Sequence, residues 1–240
     1  MGLARFAIAG MLLVTATAAV AGDRMRGFDT IAASSERIDI TGLSGWHKGR
    51  FSLGDTGAGG RYDIRSMRDR SFWESSRYGE SSFTLSGPGI DGEYSGRCHF
   101  EMVNAQDRFR DRNWKLTIST SVVPLTYRCV FQHDGKDIGM LDLAEIASPG
   151  ISVKQERAGI VALGDHVLGL HSVHHFEKAS LPGASPLGYL IENDGQPIAA
   201  IDLNGARKRL ALPGDLQLRE ASLLAGMALA LFWDPGDGDD

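Results

Sequence analysis

More than half of the seven histidines of this chain lie between His166 and His175, together with His171 and His174. Zinc asks for three or four nitrogen, sulfur or oxygen ligands in a tetrahedral arrangement. On a strand, His171 and His175 share a face with Val173 while His174 points the other way, so at most two ligands are presented together. A third, from Asp165, His166 or Glu177, would have to reach in from a bend. His171 and His175 are therefore the candidate metal ligands, against a default of strand histidines that face solvent. The two cysteines stand in similar settings, Gly96-Arg97-Cys98-His99-Phe100 and Tyr127-Arg128-Cys129-Val130-Phe131. On strand-like segments of an exported chain they are expected to pair, the alternative being two buried thiols. Neither sits in a Cys-x-x-Cys, so the expected role is structural. No cofactor is called for.

Gly54-Asp55-Thr56-Gly57-Ala58 contains the Asp-Thr-Gly-Ala string of retropepsin-like aspartic proteases, and Ile138-Gly139-Met140-Leu141-Asp142 loosely matches their later Ile-Gly segment. That chemistry needs two aspartates sharing a proton over a water, the second supplied by a dimer or another copy. Here Gly54, rather than an apolar strand residue, precedes Asp55, and no second Asp-Thr-Gly or Asp-Ser-Gly occurs. Gly54 to Gly60 reads more simply as a hairpin loop. The chain also lacks Gly-x-Ser-x-Gly, a P-loop and a dinucleotide fingerprint. A hydrolase using Asp55, or a metal-dependent one using His171 and His175, is the alternative to a binding or structural role.

The N-terminus carries Arg5, an apolar run from Phe6 to Val20, and Ala19-Val20-Ala21 before Gly22. This is the pattern of a secretory signal peptide over residues 1–21, and the expected location is secreted or periplasmic. Cleavage leaves 219 of the 240 residues and, with Arg5 gone, moves the formal charge from −5 to −6. That length suits one all-β domain with a sizeable core, and the charge argues against nucleic acid as a partner. Arg61 to Arg112 holds as many acids as arginines, interleaved as in Arg68-Asp69-Arg70, so the charges cancel locally. The residues after Trp233 read as a solvated acidic tail, 234–240.

These side chains must be positioned by the elements between. Residues 22–36 are polar and irregular, the expected flexible lead into a single domain over 37–233. Short alternating segments follow: Arg37 to Gly42, Gly45 to Leu53, Arg61 to Ser66, Ser81 to Ser86, Gly92 to Val103, Trp114 to Val122 and Leu125 to Gln132. They continue at Asp137 to Leu143, Ser152 to Glu156, Gly159 to Leu163, His166 to Glu177, Leu187 to Glu192, Pro197 to Leu203 and Lys208 to Leu212. Met67 to Glu80, with Phe72, Trp73 and Tyr78 in a polar background, reads as a lid or ordered loop. Asp134-Gly135 to Leu143 repeats as Asp194-Gly195 to Leu203, the signature of one hairpin used twice. With no alternation of strand and helix, the sheet is expected to be antiparallel.

One helix closes the chain, from Leu216 to Trp233, capped by Asp215 and stopped by Pro235. From Ala221 onward its only polar side chain is Ser222, so it is suited to burial on all sides. At 1.5 Å per residue this apolar part rises about 20 Å, short of the roughly 20 residues that cross a bilayer. No transmembrane segment is therefore expected after signal cleavage. The reading is a mainly β antiparallel closed barrel of about twelve strands around the helix, with Ala225, Gly226, Ala228 and Ala230 keeping the helix thin.

The Asp194 to Leu203 segment, the strand Lys208 to Leu212 and the helix together resemble the tubby C-terminal-like superfamily, which includes phospholipid scramblases and the LURP-one-related proteins. The resemblance implies a barrel closed around a central helix. Some members bind phosphoinositide headgroups through basic residues, and scramblases act on lipids with calcium. This chain departs from both: it has a signal peptide, no acidic loop spaced for calcium and no Lys-rich patch. What remains is an exported, envelope-associated binding or structural protein, with an envelope lipid or protein as partner. If the helix is axial, Leu229→Asp buries an unpaired carboxylate and prevents folding. A soluble Leu229→Asp variant with a cooperative melt contradicts the central helix.

Overall fold

The computed structural model describes residues 24–43, 47–70, 74–110, 115–146 and 155–232. The elements are α1 (Phe28–Ala32), β1 (Glu36–Thr41), β2 (Lys48–Leu53), β3 (Gly59–Arg70), β4 (Glu74–Ser86), β5 (Tyr94–Arg110), β6 (Lys115–His133) and β7 (Lys136–Glu145). They continue with β8 (Arg157–Leu163), β9 (His166–Val173), β10 (Gly188–Asn193), β11 (Gln196–Asp202), β12 (Lys208–Leu212) and α2 (Leu216–Ala230). The twelve strands form one closed barrel in which neighbours in sequence are neighbours in the sheet, and β1 meets β12 to close it. Every pairing is antiparallel. Closure rests on Ile38 opposite Leu210 and Ile40 opposite Lys208.

Period-two alternation decides what faces inward. Ile38 and Ile40, Phe51 and Leu53, Phe83 and Leu85, Leu141 and Leu143, Leu168 and Leu170 point to the axis and are buried. The axis is occupied by α2, whose residues from Ala221 to Leu229 are all buried. It packs against β4, β5, β8, β9, β11 and β12. Each buried Leu or Met on it contributes about 1.5–3 kcal/mol. Gly226 lies where a side chain would meet Leu210 of β12, so the lumen is narrow at this level.

Both helix ends are tied to the barrel. Asp215 Oδ1 accepts from the backbone N–H groups of Gln217 and Leu218, each at 3.0 Å, which satisfies two donors that the helix cannot. Arg219 pairs with Glu36 of β1 at 2.8 Å, and His166 Nε2 lies 2.7 Å from Gln217 Oε1. At the other end the buried Tyr127 hydroxyl donates to the Ala228 carbonyl at 2.7 Å. The Phe232 ring then packs on Tyr127, centroids 4.4 Å apart.

The repeated Asp-Gly pairs form the β6–β7 and β10–β11 turns. Asp134 and Gly135 have φ of 49° and 78°, Asp194 and Gly195 50° and 75°, the left-handed pair that a two-residue hairpin turn requires. The likeness goes further than the turn, because the register shifts just before each one, at Phe131/Gln132 and at Ile191/Glu192.

Three expectations change. The lead segment is ordered in its described part: α1 lies on the outside of β11 and β12, with Met25, Phe28 and Ala32 buried over Ala200 and Ala211. Its spacing of three and four residues forms an apolar stripe that small residues on the sheet can receive. Gly188 leaves the room that the Met25 Sδ fills, and beneath it Arg209 pairs with the fully buried Asp202 at 2.6 Å. Second, Met67 to Glu80 is no irregular loop where it is described, since β3 and β4 pair from Gly59/Ser86 to Arg70/Ser75. Third, the expected strands Trp114 to Val122, whose Trp114 lies outside the described residues, and Leu125 to Gln132 merge into one 19-residue strand, β6. Pro124 is tolerated because the β5–β6 register shifts near Val103, opposite Val123. The signal segment, the tail, most of Ser152 to Glu156, and Trp46, Phe72, Trp73 and Trp233 lie outside the described residues.

Burial holds the Tyr127 hydroxyl well above the ordinary 10.0 of a tyrosine, against a smaller opposing hydrogen bond from Ser81. Tyr94 is raised too, by desolvation and then by its contact with Glu220. A group whose pKa is raised in the folded state stabilises fully below its unfolded pKa and loses that contribution above it. Folding stability should therefore be flat near neutrality from this source and fall above about pH 10. Tyr127→Phe should cost about 0.5–1.5 kcal/mol at pH 7 by removing one of the two bonds to the Ala228 carbonyl, which keeps the Leu231 N–H at 3.2 Å, and should soften the alkaline loss. Urea unfolding at pH 7 and above pH 10 checks both, and an unchanged alkaline slope contradicts the assignment.

Candidate binding face

The sequence candidates do not assemble into a reaction centre. Asp55 stands exposed at the tip of the β2–β3 hairpin. Thr56 Oγ1 donates to the Leu53 carbonyl at 2.6 Å and accepts from the Ala58 N–H at 3.1 Å, and Gly54 and Gly57 take φ of 50° and 76°. The Asp-Thr-Gly string thus does turn chemistry. Cys98 and Cys129 are directly opposite on β5 and β6 and form a disulfide. Both are buried in the core, where the bridge clamps two neighbouring strands.

The four clustered histidines part company. β9 ends at Val173, so His171 and His175 do not share a strand face as expected. His171 points outward and lies 3.5 Å from Glu192. The chain then bends, because the backbone bonds to the N-terminal segment, Arg26 N–H to the His175 carbonyl and Glu177 N–H to the Arg24 carbonyl, both at 2.8 Å. Among the described residues, no group of three or more His, Cys, Asp or Glu gathers in metal-binding geometry. His174 is buried instead. It lies 3.1 Å from Ser172 Oγ through Nε2 and 3.1 Å from the Gly183 carbonyl through Nδ1. With Nδ1–H donating to that carbonyl, Nε2 is left to accept from Ser172. Ser172 also accepts from the Arg157 N–H at 2.9 Å, and neither Ser172 nor His174 lines a described cleft. The serine and histidine hold the loop after β9 against the barrel.

With the barrel interior filled, recognition falls to the outside. Two abutting clefts lie on the outer face of β2 to β6, of about 850 Å³ and 630 Å³, and share Asp63, Ser82 and Arg97. The strand registers lay this face out in rows. Arg50, Arg61, Thr84, Ser95 and Gln132 stand side by side, and the next row is Lys48, Asp63, Ser82, Arg97 and Val130. A third holds Arg65, Glu80, His99, Arg128 and Asp142. Small hydroxyl side chains form the floor and long cationic ones the rim. Tyr62 and Phe83, one residue out of phase, are buried in the core.

The sequence reading that charge cancels along Arg61 to Arg112 holds in sum and fails in place. Asp63 is shared by Lys48 at 3.7 Å and Arg65 at 3.5 Å, and Arg128 pairs with Asp142 at 3.2 Å. The side chains of Arg50, Arg61 and Arg97 make no ion pair or hydrogen bond among the described residues. Arg50 and Arg61 are direct cross-strand partners, a like-charge juxtaposition that costs stability. Asp63 Oδ1 is buried and lacks a hydrogen-bond partner. Alternation in Lys48-x-Arg50 and Arg61-x-Asp63-x-Arg65 was the available signal. Its meaning depended on which strands lie side by side.

Removing one member of the opposed pair is therefore expected to help folding. Arg61→Gln should stabilise by about 0.2–1 kcal/mol and raise Tm by up to about 4 °C at low salt, with the gain shrinking in 1 M salt. A lower Tm for Arg61→Gln in a calorimetric scan contradicts the like-charge reading.

Comparison with known proteins finds no match for this chain among protein-family models, curated proteins or solved structures. The face itself must carry the functional argument.

Proposed function

We propose that this chain is an exported, non-enzymatic binding protein of the cell envelope that works through the outer face of β2 to β6. The observation that carries the reading is the set of three arginines, Arg50, Arg61 and Arg97, held on that face without partners among the described residues. Unneutralised cations that oppose one another are retained against stability, which is the mark of a binding surface rather than of a scaffold. Export is supported by the signal-like N-terminus and by the Cys98–Cys129 bridge, which belongs to an oxidising compartment. No helix among the described residues is long and apolar enough to cross a membrane. The up-and-down barrel with its axial helix supports membership of the tubby-like superfamily.

The test is retention on the envelope. Full-length protein expressed with its leader should appear in the envelope fraction at low ionic strength and be released by added salt. Arg61→Ala/Arg97→Ala should lose at least about tenfold of that retention while melting cooperatively and no lower than wild type, because rim charges govern steering and salt dependence. Retention of the double variant equal to wild type, or insensitive to salt, contradicts the proposal.

A further inference from the structure

We infer that the trough on β2 to β6 takes an acidic saccharide, with the anionic group on Arg61 and Arg97 and sugar hydroxyls on Asp63 and the hydroxyl floor. This rests on the binding-face reading above and names its ligand. The two clefts join through Asp63, Ser82 and Arg97. From β2 to β6 they cross four strand spacings, about 19 Å, room for several sugar rings end to end.

The chemistry of the lining selects among anions. Arg61 and Arg97 offer charged donors that no described residue engages, suited to a carboxylate or a phosphate ester. Between them stands Asp63, whose buried Oδ1 makes no hydrogen bond and has only the Arg65 Nε beside it, at 3.5 Å. A buried acceptor left in that state asks for a donor. Inorganic phosphate at neutral pH carries its P–O–H donors on the same small group that carries its charge, so donating to Asp63 brings that charge against the carboxylate as a like charge. A ligand that carries hydroxyl donors beside an anionic group satisfies both demands. Ser82, Thr84 and Ser95 can donate or accept in turn.

A peptide fits less well. Added strands need a free sheet edge, and the trough crosses the paired part of the sheet, where Arg61 and Asp63 of β3 are held by β2 and Arg128 to Gln132 of β6 by β7. Peptide side chains need pockets, whereas this floor is shallow and hydroxyl-lined, with Tyr62 and Phe83 buried in the core. The shared ligand chemistry is a polyhydroxyl ring bearing an oxyanion, and the oxyanion is either a uronate carboxylate or a sugar phosphate.

Calorimetric titration of the full chain with tri-galacturonate, glucose 6-phosphate, neutral maltotriose and inorganic phosphate tests the assignment. At least one of the two acidic sugars should bind about tenfold or more tighter than both maltotriose and inorganic phosphate, and the tighter of the two identifies the oxyanion. Asp63→Asn should weaken that sugar about tenfold and leave inorganic phosphate binding unchanged or stronger, an opposition that mere loss of structure would not produce. Thr84→Val should weaken the sugar with an unchanged melt. Equal affinity for inorganic phosphate and the acidic sugars overturns the saccharide, as does equal affinity for maltotriose. Absence of binding to both acidic sugars also overturns it. In each of these cases, salt-sensitive envelope retention that depends on Arg61 and Arg97 leaves the broader binding function standing, and its loss removes both.

Discussion

A helix without a polar face has no place on a protein surface, and the rest of this fold follows from where α2 has to go. Its backbone hydrogen bonds are internal except at the ends, so it can enter an apolar lumen provided those ends are met. Asp215 meets one end and Tyr127 the other. A sheet that surrounds such a helix must close, and closure brings β1 to β12 across nearly the whole chain. Small residues on the helix limit the radius, and Leu210 against Gly226 sets the contact. The interior is thereby committed to packing.

That commitment moves recognition outward and limits its form. Closure leaves strand edges only where β3 and β6 run beyond their neighbours β2 and β7, so over the fully paired face partners must be read by side chains standing on strands. The face of β2 to β6 meets this condition with three rows whose order is set by hairpin register. On it the protein tolerates Arg50 beside Arg61 and an unsatisfied Asp63 oxygen, arrangements that lower stability. The flank at β11 and β12 is built otherwise. There α1 covers small residues, and Arg209 is neutralised by the buried Asp202. The contrast between a neutralised flank and an open one is what singles out the binding face.

Much of the architecture was legible because it rests on local rules. Apolar alternation, two Asp-Gly turns and an all-apolar helix of limited length each have one physical solution, and together they require an antiparallel barrel. The Cys98–Cys129 pairing was legible for the same reason, both residues lying on inward-facing strand positions. The lead segment was misjudged because its stripe of Met25, Phe28 and Ala32 acquires meaning only against Ala200, Ala211 and Gly188, far away in sequence. Met67 to Glu80 looked irregular because charged residues such as Arg68, Asp69 and Arg77 leave no apolar alternation to read. The binding face was hidden by arithmetic: summed along the chain the charges cancel, while in the sheet Asp63 is engaged by Lys48 and Arg65 and the arginines beside it are left open. The histidine cluster failed in the opposite direction, since closeness in sequence was undone by the bend after Val173.

The central claim is that ligands meet this protein on the outer face of β2 to β6 and not in its filled interior. Backbone amide NMR during titration with tri-galacturonate tests it most directly. The account predicts shift changes confined to the rows containing Arg61, Asp63, Ser82 and Arg97, with the amides of α2 from Ala221 to Leu229 unmoved. Changes centred on α2, or on the α1 flank with the Arg61 row silent, would contradict it.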